Sequence, residues 1–176
     1  MLAQSEHDES AQSILITDDD LFAKEVSNNI KSIIKTSNRS DIIKKSINEN
    51  GLIIIIKDLK KSYDLINKIA PEHLSLMFKD AQKIEENITN AGVIFMGKWT
   101  PEAMGDYIMG PSHVLPTNGA SKNSSGLSVY NFIKKISSIK NSQKTIKILG
   151  PSARIIAECE GLDAHAKSIQ VRLNGK

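Results

Sequence analysis

The sequence is poor in cysteine and in long apolar runs, and each shortage excludes a class of protein. Cys159 is the only cysteine among 176 residues. No internal disulfide can form, so the fold does not need an oxidising compartment. The longest continuous apolar run, residues 52–56, is far too short to cross a bilayer as a helix. The first ten residues are acidic and polar and lack the basic and apolar regions of a signal peptide. We therefore expect a cytoplasmic protein without a membrane span.

Aromatic residues and concentrated positive charge are also scarce. The chain has 23 basic and 20 acidic residues, a net charge of +3, and 5% aromatic residues. Most basic residues are scattered lysines, and the arginines are limited to Arg39, Arg154 and Arg172. Sequence-specific readers of nucleic acid depend on clustered arginine, and single-strand binders depend on stacked aromatic rings. Both features are missing, so we expect no nucleic-acid partner.

The hydrophobic pattern up to residue 96 alternates between strands and helices. Apolar, β-branched runs predict strands, and the run at 52–56 is typical of a strand buried on both faces. An alternation of this kind indicates an α/β fold with a mainly parallel sheet. The predicted strands are 12–17, 52–56, 74–77 and 91–96, and the predicted helices are 18–35, 40–48, 59–69 and 81–88.

The pattern changes after residue 100. Residues 100–128 contain many prolines and glycines, which predicts a long loop with a functional role. The prediction continues with a helix at 129–135, an edge strand at 136–140, and helices at 145–149, 151–160 and 163–171. We therefore expect an α/β domain at residues 1–135 and a mostly helical appendage at 136–176.

The usual local motifs of catalysis are absent from the chain, but four histidines lie in distinctive surroundings. The sequence contains no HExxH, CxxC, GxSxG, GxGxxG or P-loop motif. Near the N-terminus, Gln4 and His7 are spaced to share one face of a helical turn. Oxygen and imidazole donors suit a cation such as zinc, although a frayed polar terminus gives the same pattern.

Glu72 and His73 follow Pro71, a residue that can begin a helical turn. A histidine near a helix N-terminus is favoured in its neutral form, which is the form of a general base. The adjacent carboxylate could activate water. The alternative is an exposed turn without a chemical role.

Three further residues are weaker candidates on spacing alone. Asp106 follows a glycine in the predicted loop and can serve either as a metal ligand or as a turn cap. His113 precedes a stiff segment that ends at Pro116. His165 lies near the start of the last predicted helix, where a lone histidine is usually a surface residue.

Longer blocks of sequence resemble one enzyme family. The blocks are APEHL at 70–74, TPEAMGDY at 100–107, GPSHVLPT at 110–117 and AECEGLDAHA at 157–166, with LAQSEHD at 2–8. Their order and spacing resemble the C-terminal half of histidinol dehydrogenase over essentially the whole chain. That family oxidises L-histidinol to L-histidine in two NAD-linked steps, at the end of histidine biosynthesis.

The resemblance implies a role for individual residues. Glu72 and His73 match the catalytic pair. His73 also matches a residue that contacts the substrate, as do His113 and Glu160. The matches to zinc ligands, which also contact the substrate, are Gln4, His7, Asp106 and His165. In the family the helical tail crosses to the partner subunit, so the resemblance implies a homodimer with exchanged tails.

The resemblance also implies a fold and a missing part. It predicts a partial Rossmann-like parallel sheet with flanking helices and a C-terminal helical appendage. The family's N-terminal half, which carries most of the NAD site, has no counterpart here and could be a separate polypeptide. An alternative from another class is a truncated, non-catalytic module for zinc binding or dimerisation.

Overall fold

Two pairs of parallel strands form the sheets of the first unit, Met1–Phe132, in a computed structural model that describes residues 1–175. Strand β1 (Ile14–Thr17) pairs with β2 (Leu52–Ile55), and β3 (His73–Leu76) pairs with β4 (Val93–Met96). The predicted α/β class with parallel strands is confirmed. The helices of this unit are α1 (Leu2–Ser5), α2 (Asp20–Ile34), α3 (Ser40–Asn50), α4 (Tyr63–Ile69), α5 (Ala81–Glu85) and α6 (Glu102–Tyr107).

A second unit begins at Ile133 and contains a pair of packed helices. Helix α7 (Gln143–Cys159) and helix α8 (Asp163–Leu173) are joined by a turn in which Gly161 has a positive φ. The prediction of two separate helices at 145–149 and 151–160 is wrong, because residues 143–159 form one continuous helix that contains Pro151. Gly150 is buried against Leu173 and Ile169 of α8, and this packing holds α7 together across the proline.

Two small apolar clusters hold the first unit together. Ile30, Ile34 and Ile43 pack helix α2 against α3, and Met1 and Leu2 of α1 lie against the same cluster. The second cluster has Ile66, Leu76 and Ala81 at its centre, beneath the β3–β4 pair. The first cluster therefore contacts the helix that carries Gln4, and the second includes residues of the strand that begins at His73.

The short helix α1 is also fixed by polar contacts. The hydroxyls of Ser5 and Ser13 share a buried hydrogen bond of 2.7 Å. Ser46 of α3 donates to the carbonyl oxygen of Ala11 at 2.7 Å. A buried hydroxyl needs a partner, so these bonds favour one position of the segment that follows α1. The residues Gln4 and His7 are therefore held in place rather than on a frayed terminus.

Strand β2 differs from its prediction. The run at 52–56 was expected to be buried on both faces, yet Leu52 is 47% exposed and Ile55 is 50% exposed. The register with β1 accounts for the hydrogen bonds of the strand, but no layer among residues 1–175 covers its side chains fully. Parallel strands of this composition are normally covered on both faces.

The segment after residue 100 also differs from its prediction. Residues 102–107 form helix α6 instead of loop, and residues 136–140, predicted as an edge strand, form neither helix nor strand. The predicted helix at 129–135 is reduced to a 3-10 turn, Val129–Phe132. Among residues 1–175, every helix is too short or too polar to span a bilayer.

Candidate metal and catalytic site

The imidazole ring of His73 lies between two carboxylates. Nδ1 is 3.6 Å from a carboxylate oxygen of Glu102, and Nε2 is 3.5 Å from a carboxylate oxygen of Asp106. All three side chains are largely buried, with 11%, 19% and 18% of their surface exposed. Both ring nitrogens are buried and have no hydrogen-bond partner. Buried polar atoms are normally paired, so unpaired nitrogens beside two acids indicate a place for a cation or a ligand.

The sequence builds this arrangement from one strand and one helix. His73 is the first residue of β3, and its register partner on β4 is Val93. Glu102 and Asp106 are four residues apart in α6, so they lie on the same face of that helix. The chain turns at Gly97 after β4, and α6 then packs next to the start of β3. The segment TPEAMGDY thus brings both acids to the ring.

Phe95 and Gly105 set the distance between the helix and the strands. The Phe95 ring is buried and stacks with His73, with 6.0 Å between ring centroids and 25° between planes. A Cβ at Gly105 would lie 2.4 Å from Cε1 of Phe95, which is closer than atoms can pack. Gly105 is therefore the residue that lets α6 approach the ring.

A cavity of about 430 Å3 adjoins the acids and extends to the N-terminal helix. His7 and Glu6 line it from one side, and Glu102 and Asp106 line it from the other. Arg39 also lines the cavity and donates to the carbonyl oxygen of His7 at 3.4 Å. Residues almost one hundred positions apart in sequence, His7 and Asp106, therefore border the same space.

Side chains of α1 and of the cavity lining include donors that suit a divalent cation. The amide oxygen of Gln4 is buried and has no hydrogen-bond partner. An acceptor left unpaired in this way suits a metal ion, since an oxygen needs a cation or a donor when water is excluded. His7 and Asp106 line the cavity and offer the imidazole and carboxylate donors that zinc accepts. Among residues 1–175, the ligand atoms that lie within 4.8 Å of one another belong to His73, Glu102 and Asp106.

Hydrogen bonds also influence the ionisation of the segment that follows His7. A side-chain hydrogen bond from Ser10, and then one from its backbone N–H, lower the pKa of Asp8. A hydrogen bond to Glu9 raises the pKa of Lys45. Both groups are solvent-exposed and keep their ordinary charges at neutral pH. The contact between Lys45 and Glu9 joins this segment to α3.

Comparison with known proteins agrees with this geometry. The sequence model of the family described as histidinol dehydrogenase matches residues 1–173. The chain belongs to the histidinol dehydrogenase family. It is 45% identical over 175 residues to histidinol dehydrogenase 1 of Trichormus variabilis and 43% identical over 173 residues to histidinol dehydrogenase of Gluconobacter oxydans. These alignments cover 99% and 98% of this chain but 41% and 40% of the relatives.

A solved structure of the family gives the same result. The crystal structure of histidinol dehydrogenase from Elizabethkingia anophelis matches with a TM-score of 0.91 and 34% identity. The match covers 99% of this chain and 40% of that one. The chain therefore spans about two fifths of the length of the family members it matches, and its fold is the fold of that part.

The structure brings several of the predicted site residues of this family member together. His73 and Asp106 are in contact, and His7 borders the same cavity as Asp106. Glu72 lies directly before β3, where its carbonyl oxygen accepts from the N–H of Val93 at 3.0 Å. His113 is exposed in the loop after α6.

Glu160 and His165 belong to the second unit. Glu160 is the residue at the C-terminal cap of α7, and His165 lies in the first turn of α8. Both residues are exposed. Their roles at the metal and substrate stay predictions.

One expectation about His73 is wrong. Sequence reasoning placed it near a helix N-terminus, because Pro71 can begin a helical turn. His73 instead begins strand β3, and Pro71 accepts a hydrogen bond from the N–H of Gly92 in the neighbouring strand segment. The carboxylates of Glu102 and Asp106, not a helix dipole, dominate its surroundings.

Glu102 was not predicted as a site residue. Its distance of four residues from Asp106 was a usable signal, because that spacing places two side chains on one helix face. The prolines and glycines of residues 100–128 predicted a loop instead, and in a loop the spacing carries no such meaning.

Gly92 offers a test of how this site is supported. A Cβ at this position would lie 2.5 Å from the backbone oxygen of Glu72. Gly92→Ala must therefore displace the start of β3, and we expect a loss of about 1–3 kcal/mol in the free energy of unfolding. Denaturant unfolding with Thr89→Ala as the exposed control measures this. Equal stability of the two variants would show that β3 tolerates the displacement.

Proposed function

We propose that the chain is the zinc- and substrate-binding part of a histidinol dehydrogenase. In this proposal the enzyme oxidises L-histidinol to L-histidine in two NAD-linked steps, the last stage of histidine biosynthesis. The observation that carries the proposal is the buried His73 ring, which lies between two acids beside a cavity that His7 also borders. This observation supports a base that lies beside a metal site and a space for a small substrate.

The proposed zinc ligands are Gln4, His7, Asp106 and His165. The unpaired amide oxygen of Gln4 and the shared cavity of His7 and Asp106 support the first three. Zinc, when bound, supplies a fixed positive charge that holds the imidazole and amine of the substrate and takes no part in electron transfer. The ligands would fix the position of the ion, and the ion would in turn fix the position of the substrate.

In the proposed reaction, His73 accepts the hydroxyl proton of the alcohol while the carbon loses hydride. NAD, when bound, supplies the hydride acceptor in both oxidations. Glu72 activates the water that hydrates the aldehyde, and His73 accepts a proton again in the second oxidation. His113 and Glu160 contact the substrate. Burial of His73 supports its role, because a base shielded from water keeps the geometry it needs.

The proposal includes a partner subunit and further polypeptide. We propose a homodimer in which Glu160 and His165 of the exchanged tail complete the site of the partner. Exposed apolar residues on α7, including Ile148 and Ile156, support an interface there. The exposed side chains of β2 support a separate N-terminal half that covers this strand and carries most of the NAD site. A cytoplasmic location belongs to the same proposal.

Reconstitution tests this function. The chain is co-expressed with a polypeptide equivalent to the N-terminal part of a family member, and NADH formation is measured with and without histidinol. We expect histidinol-dependent NADH and about two NADH per histidinol consumed, since each of the two oxidations releases one hydride. A soluble, associated pair that binds zinc and forms no NADH would contradict the proposal.

The second candidate is a non-catalytic zinc-binding or dimerisation module. It is favoured by one observation: α7 carries large exposed apolar side chains, among them Ile148 and Ile156, which suit an interface. Under this candidate, replacing Glu72 or His73 leaves the role of the chain unchanged. A loss of NADH formation in a His73 variant of the reconstituted pair would exclude it.

A further inference from the structure

We propose that Ser121 is a positioning residue that holds the chain segment leading into the proposed catalytic pair, Glu72 and His73. The inference rests on the proposed function, in which these two residues act on the substrate. The Ser121 hydroxyl is buried and donates to the carbonyl oxygen of Ala70 at 2.9 Å. This hydrogen bond joins positions 51 residues apart in the sequence, and Ala70 lies shortly before the pair.

Ala70 has a backbone conformation that needs support from its surroundings. It is completely buried, and its φ of 54° and ψ of 63° lie in the left-handed region. A residue with a Cβ enters this region at a steric cost, and such residues persist where neighbouring groups fix them. The N–H of Ala70 donates to the carbonyl oxygen of Ile66 at 2.8 Å, and its carbonyl oxygen accepts from Ser121. The backbone on both sides of the strained bond is therefore fixed.

The conformation of Ala70 sets the direction in which the chain enters β3. Ala70 is the C-terminal cap of α4, and a left-handed residue at this position ends a helix and turns the chain away from it. The carbonyl oxygen of Pro71 then accepts from the N–H of Gly92 at 2.9 Å. The carbonyl oxygen of Glu72 accepts from the N–H of Val93 at 3.0 Å. A rotation at Ala70 therefore displaces Glu72 and the start of β3.

Ser121 belongs to a loop that is itself anchored near the site. The loop follows His113, and a hydrogen bond of 2.9 Å from the N–H of Leu127 to the carbonyl oxygen of Val114 closes its base. Ser121 lies in the 3-10 turn Ala120–Lys122 of this loop. Its hydroxyl therefore connects the loop after His113 to the chain before β3.

Ser121 acts through Ala70 and needs no contact with the substrate. Removal of the hydroxyl leaves the buried carbonyl oxygen of Ala70 without this donor, and a buried acceptor without a partner is unfavourable. Rotation of Ala70 out of the left-handed region relieves both this loss and the steric cost. Glycine at position 70 adopts the left-handed conformation without that steric cost, so the segment then depends less on Ser121.

Amide hydrogen exchange of the full chain tests whether Ser121 holds this segment. The N–H groups of Gly92 and Val93 report its position, because their acceptors are the carbonyl oxygens of residues 71 and 72. We expect Ser121→Ala to accelerate exchange at both about tenfold, the effect of one buried acceptor that loses its donor. The N–H of Gly97, at the other end of the β3–β4 pair, should keep its native rate. Ser125→Ala, an exposed change in the same loop, should leave all three rates native.

Kinetics of the reconstituted pair test the consequence for the site. Ser121→Ala should lower kcat about tenfold and change KM for histidinol less than about twofold, because the proposed zinc ligands still hold the substrate. In an Ala70→Gly background the same substitution should lower kcat less than about threefold, since the two positions are coupled. A role of Ser121 in overall stability alone does not produce this rescue.

Several results would overturn the inference. Native exchange at Gly92 and Val93 in Ser121→Ala is one, and equal acceleration at Gly97 is another, because it would indicate a general loss of stability. A native kcat in Ser121→Ala, or an equal loss of kcat in the Ala70→Gly background, would also contradict it. If the unaltered pair forms no NADH, the proposed function fails, and the exchange rates then decide whether Ser121 holds the segment.

Discussion

His73→Gln is expected to lower histidinol-dependent NADH formation by the reconstituted pair about 10²- to 10⁴-fold, the usual contribution of a general base. Glutamine fills much of the same space and can still form hydrogen bonds, but it cannot accept the substrate proton at neutral pH. Zinc content should stay the same, because His73 is not among the proposed ligands. Steady-state rates and metal analysis of the same preparation measure both quantities.

Ser75→Ala is the matched control for His73→Gln. Ser75 is exposed and lies two residues further along β3, so the strand keeps its register without its hydroxyl. We expect nearly native rates for this variant. A rate for His73→Gln within a few-fold of native would remove His73 from the reaction. Loss of zinc from His73→Gln alone would instead identify the ring as a metal ligand.

Gly105→Ala is expected to abolish the site while leaving the rest of the chain folded. In an isolated helix this change is favourable by about 1 kcal/mol, because alanine is the better helix former. In this fold the new Cβ would lie 2.4 Å from Cε1 and 2.8 Å from Cζ of Phe95. Overpacking of this kind typically costs about 1–3 kcal/mol. Either α6 or the Phe95 ring must move, and both of them position His73.

The measured quantities are zinc affinity and NADH formation. Both should fall at least about tenfold in Gly105→Ala, since a misplaced ligand or base loses most of its effect. Met104→Ala is an exposed change on the same helix and should have little effect. Adding Phe95→Leu to Gly105→Ala removes the clashing atoms and should recover part of the zinc affinity. Native zinc affinity in Gly105→Ala itself would show that α6 does not set the geometry of the site.

The strands could be predicted because their signal is local. The β-branched run at 52–56 and the apolar segment before Gly97 are strands in the structure, as strongly β-forming residues favour. The burial of β2 could not be predicted in the same way. Burial depends on what covers the strand, and no segment among residues 1–175 covers its side chains fully.

Helix α6 could not be predicted because proline and glycine occur both in loops and at particular positions of helices. Pro101 and Gly105 are typical of loops, yet here Pro101 directly precedes the helix and Gly105 provides room for Phe95. Pro151 shows the same difficulty, since the packing of α7 against α8 outweighs its tendency to break a helix. In each case tertiary packing decides, and packing is not visible in a local sequence window.

The composition of the site could be predicted only in part. The resemblance pointed to His7, His73 and Asp106, and the structure brings these residues around one cavity and one ring. Spacing in the sequence does not predict that α1 and α6 meet, because they are separated by four strands. Glu102 was overlooked for the same reason that α6 was.

Zinc content per chain tests the central claim most directly. The chain is washed with chelator, reloaded with zinc, and analysed beside Asp106→Ala, with Asp64→Ala as an exposed control and His165→Ala to test the tail. The account predicts about one tightly held zinc in the native chain and in Asp64→Ala, as in a mononuclear site. It also predicts loss of that zinc in Asp106→Ala and in His165→Ala. A folded native chain without zinc, or zinc retained fully in Asp106→Ala, would contradict it.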